Sequence, residues 1–452
     1  MLLVLGDVVL TMDPDRRMIA DGGVLVDGDR IVAVGPAADL TARAPDAERL
    51  GGPGHLVMPG MINAHQHLTG DRLVRSAIPD DIDAWDAIFQ WAVPIHAAHT
   101  GDDDELSATL GLVEAVTNGI TFTVEAGTVA HPDRVLAGYD AVGVGGTLGS
   151  WGWDVAEAPF AGTVDEVLDR QRFVLDVTRG HPRVQGWVTL VGHDLMSDEL
   201  VTRASALARD AGTRMTFHLS PGANDAVAYL SRTGRRPAVH LDEMGALGSH
   251  VLLAHAVHLD DAEVDVVLGR DVAIAYCPWA YLRLGQGVAR AGRHAEIVAA
   301  GGRVALGCDA ENAGDHVDVL RAAQAAAGLA LDAGRAPFGA HTALELATIA
   351  GARAIGMDHE LGSLESGKRA DVVVVDTTGP NWVTRSPDPA LQLLWASDGR
   401  DVRHVVASGR VIVRDRECTT VDLPALAAEA QDRQGRILRE VGLTPTPRWP
   451  VS

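Results

Sequence analysis

The sequence predicts an α/β protein: a (β/α)₈ barrel with a small β domain built from both ends of the chain. Short apolar strands alternate with alanine-rich helical stretches through the middle of the sequence. Several of these stretches end at a glycine placed as a helix C-terminus requires, namely Gly119, Gly143, Gly212 and Gly301. The strands are almost continuously apolar, which is typical of parallel strands covered on both faces.

Eight candidate strands within about 300 residues match the size of a (β/α)₈ barrel. A doubly wound sheet is the alternative, but no GxGxxG motif follows any candidate strand. In a barrel the carboxyl ends of all strands meet at one mouth, so the polar residues that end them are the first functional candidates. The candidate strands lie near residues 57–64, 120–126, 144–150, 184–191, 214–218, 251–254, 272–276 and 303–308.

Both ends of the chain carry short β-branched segments separated by turn signals. We expect them to form one composite β-sandwich. An amphipathic helix then follows near the C-terminus, and its apolar face could pack on the barrel or between subunits. The predicted units are residues 1–56 (N-terminal segment of the β-sandwich), 57–364 (barrel), 365–418 (C-terminal segment of the β-sandwich) and 419–452 (helix and tail).

The composition of the chain argues against several classes of function. The 38 basic and 61 acidic residues give a net charge of −23, which argues against nucleic acid and anionic membrane surfaces as partners. Three scattered cysteines do not form a disulfide framework and fit a reducing compartment. The first residues make a poor signal peptide, and no apolar stretch is long enough to span a membrane. The expectation is a cytoplasmic protein acting on a small molecule.

Two histidines, His65 and His67, close the first barrel strand. Since side chains alternate with period two along a strand, both imidazoles project to the same side and can bind one metal ion. His218 and His255 end the fifth and sixth strands, and Asp309 ends the eighth. Each alone could be a packing or loop residue. Together, imidazoles and a carboxylate suit one divalent ion, Zn²⁺ first and Fe²⁺ as the alternative.

At these residues the chain resembles the amidohydrolase superfamily, in particular its cytosine-deaminase-like, triazine hydrolase and adenosylhomocysteine deaminase branch. The matching blocks, in order, are PGMINAHQHL, HLS, VLLAHAVHLDDAEV, CPWAYLRLGQG, VALGCDAEN and LGSLESGKRADVVVVD. The resemblance implies that the metal ligands are His65, His67, His218 and Asp309. It also implies a catalytic role for His255 and for Asp309, and a substrate contact at His193.

Members of this superfamily with two metal ions bridge them with a carboxylated lysine on a barrel strand. This chain has a single lysine, Lys368, in a turn of the predicted β-sandwich. The resemblance therefore implies a site with one metal ion.

The chain departs from the resemblance after His218. Relatives that deaminate purines or dechlorinate triazines usually carry a glutamate three residues later, whereas here that position is Pro221, which cannot transfer a proton. Glu311 is our first candidate for a substitute acid. The other candidates are Asp225, Glu243 and Glu125.

Nine tryptophans in a chain with few aromatic residues suggest stacking on a planar substrate, although core packing explains any single one equally well. The aromatic candidates are Trp279, Tyr281, Trp85, Trp91, Trp151 and Trp153, and Gln66 is a further expected substrate contact.

The predicted function is a metal-dependent aminohydrolase with one metal ion, in which hydroxide attacks a C–N bond of a small nitrogen heterocycle or cyclic amidine. Because of Pro221, hydrolysis of a ring amide or a C–Cl bond is the alternative. A catalytically inactive ligand-binding barrel is the third interpretation. A homodimer or a higher homo-oligomer is also open.

Overall fold

The computed structural model describes residues 1–155, 158–334 and 338–451. The strands are β1 (Leu2–Leu10), β2 (Met18–Asp27), β3 (Arg30–Pro36), β4 (Glu48–Pro59), β5 (Met61–Gln66), β6 (Ile120–Glu125), β7 (Gly145–Leu148), β8 (Val184–Gly186), β9 (Val188–Gly192), β10 (Met215–Leu219), β11 (Val251–His255), β12 (Ala273–Tyr276), β13 (Val304–Leu306), β14 (Val372–Asp376), β15 (Val402–Ala407), β16 (Arg410–Arg414) and β17 (Glu417–Cys418).

The α-helices are α1 (Ala37–Arg43), α2 (Ala84–Asp86), α3 (Val93–Ala97), α4 (Gly101–Thr117), α5 (Pro132–Val142), α6 (Val164–Val177), α7 (Asp198–Asp210), α8 (Ala223–Thr233), α9 (Pro237–Glu243), α10 (Asp261–Gly269), α11 (Pro278–Arg283), α12 (Val288–Ala291), α13 (His294–Ala299), α14 (Val319–Asp332), α15 (Ala340–Ala347), α16 (Ile349–Ala354), α17 (Pro389–Ala396) and α18 (Leu423–Glu440). In the portion of the chain that the structure describes, no helix combines the length and the apolar character needed to cross a membrane.

The predicted composite β domain is present. One eight-stranded sheet has the order β17-β16-β15-β14-β4-β1-β2-β3, so strands from the two ends of the chain share it. The join is the antiparallel pair of β4 with β14, in which Val57 lies opposite Val374. Residues 57–59, predicted as the start of the first barrel strand, therefore belong to this sheet. The chain passes from β4 to β5 at Gly60, whose Cα lies so close to Thr121 that a Cβ would clash.

The barrel consists of parallel strands in two hydrogen-bonded groups, β5-β6-β7-β8 and β9-β10-β11-β12-β13. The groups meet at Trp187, the residue between β8 and β9, which donates its backbone N–H to Leu148 of β7. The next residue, Val188, donates to Arg214 before β10, so one interrupted strand serves both groups. At the other seam, the N–H groups of Cys308 and Asp309 donate to the carbonyl of His65, at 3.1 and 2.9 Å. These bonds close the (β/α)₈ barrel at its mouth.

The helix ends agree with the glycine pattern of the sequence. Gly143 follows α5 with φ +84°, and Gly301 follows α13 with φ +85°. The left-handed conformation is accessible to glycine without a Cβ clash, and it ends the helix so that the chain can enter the next strand. The amphipathic helix α18 packs on the barrel of its own chain, where Ile437 is buried and Arg433 pairs with the buried carboxylate of Asp103.

Candidate active site at the barrel mouth

The strand ends bring three histidines and one aspartate together at the mouth. The Nε2 atoms of His65 and His67 lie 3.6 and 3.4 Å from Oδ1 of Asp309. Nε2 of His67 is 3.3 Å from Nε2 of His218. All four residues are largely buried, and His67 has the most exposed side chain of them, at 13%. The four residues predicted as metal ligands therefore form one cluster, in which His65, His67 and Asp309 offer ligand atoms within 4.8 Å of one another.

The orientation of the histidines shows that the cluster suits a cation. Nδ1 of His218 lies 2.6 Å from the carbonyl oxygen of Val191, which only accepts, so this nitrogen carries the proton. Nδ1 of His67 lies 3.0 Å from the hydroxyl of Thr128. For His218 this leaves Nε2 with a lone pair, and Nε2 of His67 points to the same place, 3.3 Å away. Such second partners fix the tautomer of histidine ligands in metal sites.

His65 supports the same conclusion. It is 1% exposed, and neither ring nitrogen has a hydrogen-bond partner among the described residues. An unpartnered buried polar group costs free energy, which a bound ion would recover. The imidazoles and the carboxylate can therefore hold a metal ion, with the donor set that zinc prefers.

The ionisation states also fit. Burial lowers the pKa of His218 well below its ordinary value, so the ring stays neutral near pH 7. Burial alone would raise the pKa of Asp309, but contacts with His65 and His67 hold it well below its usual range. Burial alone would lower the pKa of His67, but contact with Asp309 raises it, so a bound ion would have to displace a proton there. Neutral imidazole and ionised carboxylate are the forms that bind a metal.

The predicted catalytic residue His255 adjoins the cluster. Its Nδ1 lies 4.0 Å from Oδ2 of Asp309 and 3.3 Å from the hydroxyl of Tyr281. Both His255 and Asp309 have left-handed backbones, with φ of +77° and +67°, a conformation that non-glycine residues adopt rarely and often at functional sites. Tyr281, predicted as a substrate contact, is buried behind His255, where its hydroxyl also accepts the N–H of Cys277 at 2.8 Å. In this position it orients His255.

A cavity opens above the cluster. Its wall includes His67, His218, His255 and Asp309 together with the predicted substrate contact His193. Nδ1 of His193 lies 3.2 Å from Oδ2 of Asp225. The remaining walls include Trp151, Trp153, Pro221, Gln286, Asp71 and His96.

Four other predicted contacts lie outside the cavity lining, and one of them, Trp85, is exposed at the surface. The indole of Trp279 donates to the carbonyl of Arg321 at 2.9 Å, because helix α11 directs it towards α14. Gln66 is buried in the strand, where its side-chain oxygen accepts from Asn63 at 2.9 Å. Trp91 lies on the helical segment 84–97, whose cavity-facing positions are 84, 87, 88, 92, 93 and 96.

The candidate acids also lie behind the lining. Glu311 is buried with Arg72 at 3.6 Å, and burial raises its pKa to about 7. Glu125 accepts the N–H groups of Gly127 and Thr128, whereas Glu243 pairs with Arg235 at the surface. Asp225 does not line the cavity, but it interacts with His193, which does.

Two titratable residues of the cavity lining escaped prediction from the sequence, Asp71 and His96. Asp71 is four residues past His67, and this short separation from a predicted ligand was the signal available for it. The sequence offered no such signal for His96.

Comparison with known proteins agrees with this geometry. The family model described as Amidohydrolase family matches residues 56–412, and the Imidazolonepropionase-like composite domain of bacteria matches residues 22–47. The 5-methylthioadenosine/S-adenosylhomocysteine deaminase of Halobacterium salinarum is 32% identical over 98% of this chain and 99% of its own. That of Syntrophobacter fumaroxidans is 30% identical over 93% of this chain and 95% of its own.

Solved structures show the same fold. An adenosine deaminase from Xanthomonas campestris with bound zinc superposes with a TM-score of 0.91, at 27% identity, over 97% of this chain and 98% of its own. An atrazine chlorohydrolase from Arthrobacter aurescens complexed with zinc gives a TM-score of 0.87, at 24% identity, over 96% of this chain and 100% of its own. The chain therefore belongs to the amidohydrolase family and is a hydrolase that acts on carbon–nitrogen bonds.

Proposed function

We propose that the chain is a deaminase with one metal ion, most simply Zn²⁺, held by His65, His67, His218 and Asp309. The observation that carries the proposal is the convergence of the Nε2 atoms of His67 and His218, 3.3 Å apart, beside the ionised carboxylate of Asp309. When bound, the ion supplies Lewis acidity that lowers the pKa of water and polarises the carbon under attack.

The protein's own groups then handle the proton. Asp309 is ionised near neutral pH, so it can accept the proton of the attacking water and return it to the leaving nitrogen. His255, 4.0 Å from the same carboxylate, is placed to stabilise the charge that develops on the substrate. Tyr281 keeps His255 in this orientation.

A single ion is supported by the position of the only lysine. Lys368 lies in the turn before β14, and its Nζ donates to the hydroxyl of Ser363 at 2.6 Å. This site is outside the barrel, so Lys368 cannot bridge two ions at the mouth.

Pro221 favours one alternative reaction. It lines the cavity where relatives carry a proton-transferring glutamate, so hydrolysis of a C–Cl bond or a ring amide is the second candidate function. The three cysteines are free, which supports a cytoplasmic location as an element of the proposal. A homodimer or a higher homo-oligomer stays a prediction, because helix α18, from which the sequence suggested it, packs on the barrel of its own chain.

Ammonia release separates the two reactions. The zinc-loaded chain is incubated with purines, pterins, pyrimidines, cyclic amidines and chlorinated triazines, and ammonia and chloride are both measured. The proposal expects ammonia from at least one nitrogen heterocycle. Chloride or ring opening without ammonia from any compound would favour the alternative.

A further inference from the structure

The wall of the cavity contributed by the segment after β5 offers hydrogen-bond acceptors. Asp71 and His96 lie there, 3% and 6% exposed. Neither belongs to the proposed metal ligands. We refer to these two residues as the acceptor pair.

Asp71 has an unused acceptor. Its carboxylate lies near the backbone N–H of Asn312, and Oδ1 has no hydrogen-bond partner among the described residues. A buried carboxylate oxygen without a partner is costly in the empty cavity and gains a charge-assisted hydrogen bond when a donor arrives. Burial raises the pKa of Asp71 to about 6, so the group is ionised at pH 8.

His96 is held as an acceptor by its neighbours. The hydroxyl of Thr69 donates its single proton to the carbonyl of Thr128 at 2.8 Å. Nδ1 of His96, 3.5 Å from the same hydroxyl, must therefore be the donor in that contact. This leaves Nε2 with a lone pair. Burial lowers the pKa of His96 well below its ordinary value, so the ring stays neutral.

The other residues of the cavity lining restrict the charge and the shape of the ligand that can bind. Among the described residues that line the cavity, none is lysine or arginine, while Asp71 and Asp309 are acidic. Apart from the proposed metal ion, an anionic substrate group would meet no counter-charge in the lining. Trp151 and Trp153 lie on the same wall with ring centroids 5.4 Å apart, and flat indole faces favour a planar ring.

We propose that the acceptor pair, Asp71 and His96, sets the specificity of the enzyme by binding the N–H edge of an uncharged or cationic planar nitrogen compound of the amidine type. The inference rests on the proposed function and names the substrate class of the same site. It assigns no proton transfer to either residue.

Binding of three planar probes tests the proposal: benzamidine (cationic), benzamide (its neutral isostere) and benzenesulfonate (anionic). Calorimetry at pH 8 on the zinc-loaded full-length chain measures each Kd. We expect benzamidine to bind about tenfold more tightly than benzamide, since a charge-assisted hydrogen bond exceeds a neutral one, and benzenesulfonate to bind most weakly.

Asp71→Asn should weaken benzamidine about tenfold and benzamide little, and His96→Phe should weaken both. Asp315→Asn is the matched control, because Asp315 pairs with Arg75 outside the lining and its replacement removes the same charge. It should leave all three affinities unchanged. An unchanged benzamidine-to-benzamide ratio in Asp71→Asn, or wild-type binding of both probes by His96→Phe, would overturn the proposal.

If the variants fail to fold, the wild-type ranking still decides, because tighter binding of benzenesulfonate than of benzamidine contradicts the inference. The assay reports binding and not turnover. A failed ranking therefore leaves the proposed deamination intact, whereas a correct ranking without ammonia release would refute the deaminase and keep the acceptor pair.

Discussion

The two walls of the cavity are built differently. The metal cluster stands at the ends of β5 and β10 and just after β13, where backbone hydrogen bonds between strands fix each residue. The acceptor pair stands on the connection between β5 and α4, where contacts between side chains fix the geometry. The residues proposed for catalysis lie on the barrel strands. The residues proposed for substrate recognition lie on a connection that can vary without disturbing those strands.

Removing a ligand should have the largest effect. His65→Ala and Asp309→Ala should each lose the bound ion and reduce activity by about 10³-fold or more, because the donor set is incomplete. Elemental analysis and ammonia release measure the two effects, and circular dichroism checks the fold. His240→Ala, which removes a histidine on α9 that is bonded to Asp198, is the control and should keep its metal. A fully metallated and active His65→Ala would show that the cluster is misassigned.

His255→Asn should have the next largest effect and should separate chemistry from metal binding. We expect an unchanged metal content and a loss of about 10²–10⁴-fold in kcat, the range for a lost acid–base or electrostatic group. Steady-state kinetics with metal analysis measures both. A drop in metal content equal to the drop in activity would make His255 a ligand instead.

Asp71→Asn should affect stability with a sign opposite to that of a typical salt-bridged carboxylate. The folded-state pKa is raised to about 6, so the folded protein binds more protons than the unfolded chain between about pH 4 and 6. Ionisation of Asp71 therefore lowers the free energy of unfolding as the pH rises through that window. The metal-free variant should be more stable than the wild type by about 3 kcal/mol at pH 8, and the difference should vanish near pH 4.

Urea unfolding of the two metal-free proteins at both pH values measures this difference. Asp315→Asn again serves as the control, since its carboxylate is already paired with Arg75. A wild type more stable than Asp71→Asn at pH 8 would mean that the carboxylate has a partner in the folded protein.

Lys368→Arg should have the smallest effect. The side chain bonds to Ser363 in a turn of the β domain, so metal content and activity should match the wild type. Metal stoichiometry measures it. Loss of metal in this variant would reopen a site with a bridging lysine.

The features that could be predicted from the sequence depend on interactions between residues close together in the chain. Period-two alternation placed His65 and His67 on one side of β5, and helix-ending glycines marked where strands begin. The break at Trp187 was not predictable, because the strand exchanges its neighbour through backbone hydrogen bonds to residues distant in the sequence.

The acceptor pair was hidden for the same reason. His96 reaches the cavity because its ring packs on the backbone of Gly70, where a Cβ would lie 2.3 Å from the ring. Gly70 and His96 are distant in the sequence, and no periodic pattern indicates that they pack together. Trp279 shows the converse, since the motif around it suggested a substrate contact but its indole bonds to Arg321.

The most direct test of the one-metal deaminase is a metal titration of the metal-free full-length chain against ammonia release, with the substrate identified from the panel. We predict that activity rises in proportion to zinc and reaches its plateau at one ion per chain. Full turnover without metal, or a plateau only at two ions per chain, would contradict this prediction.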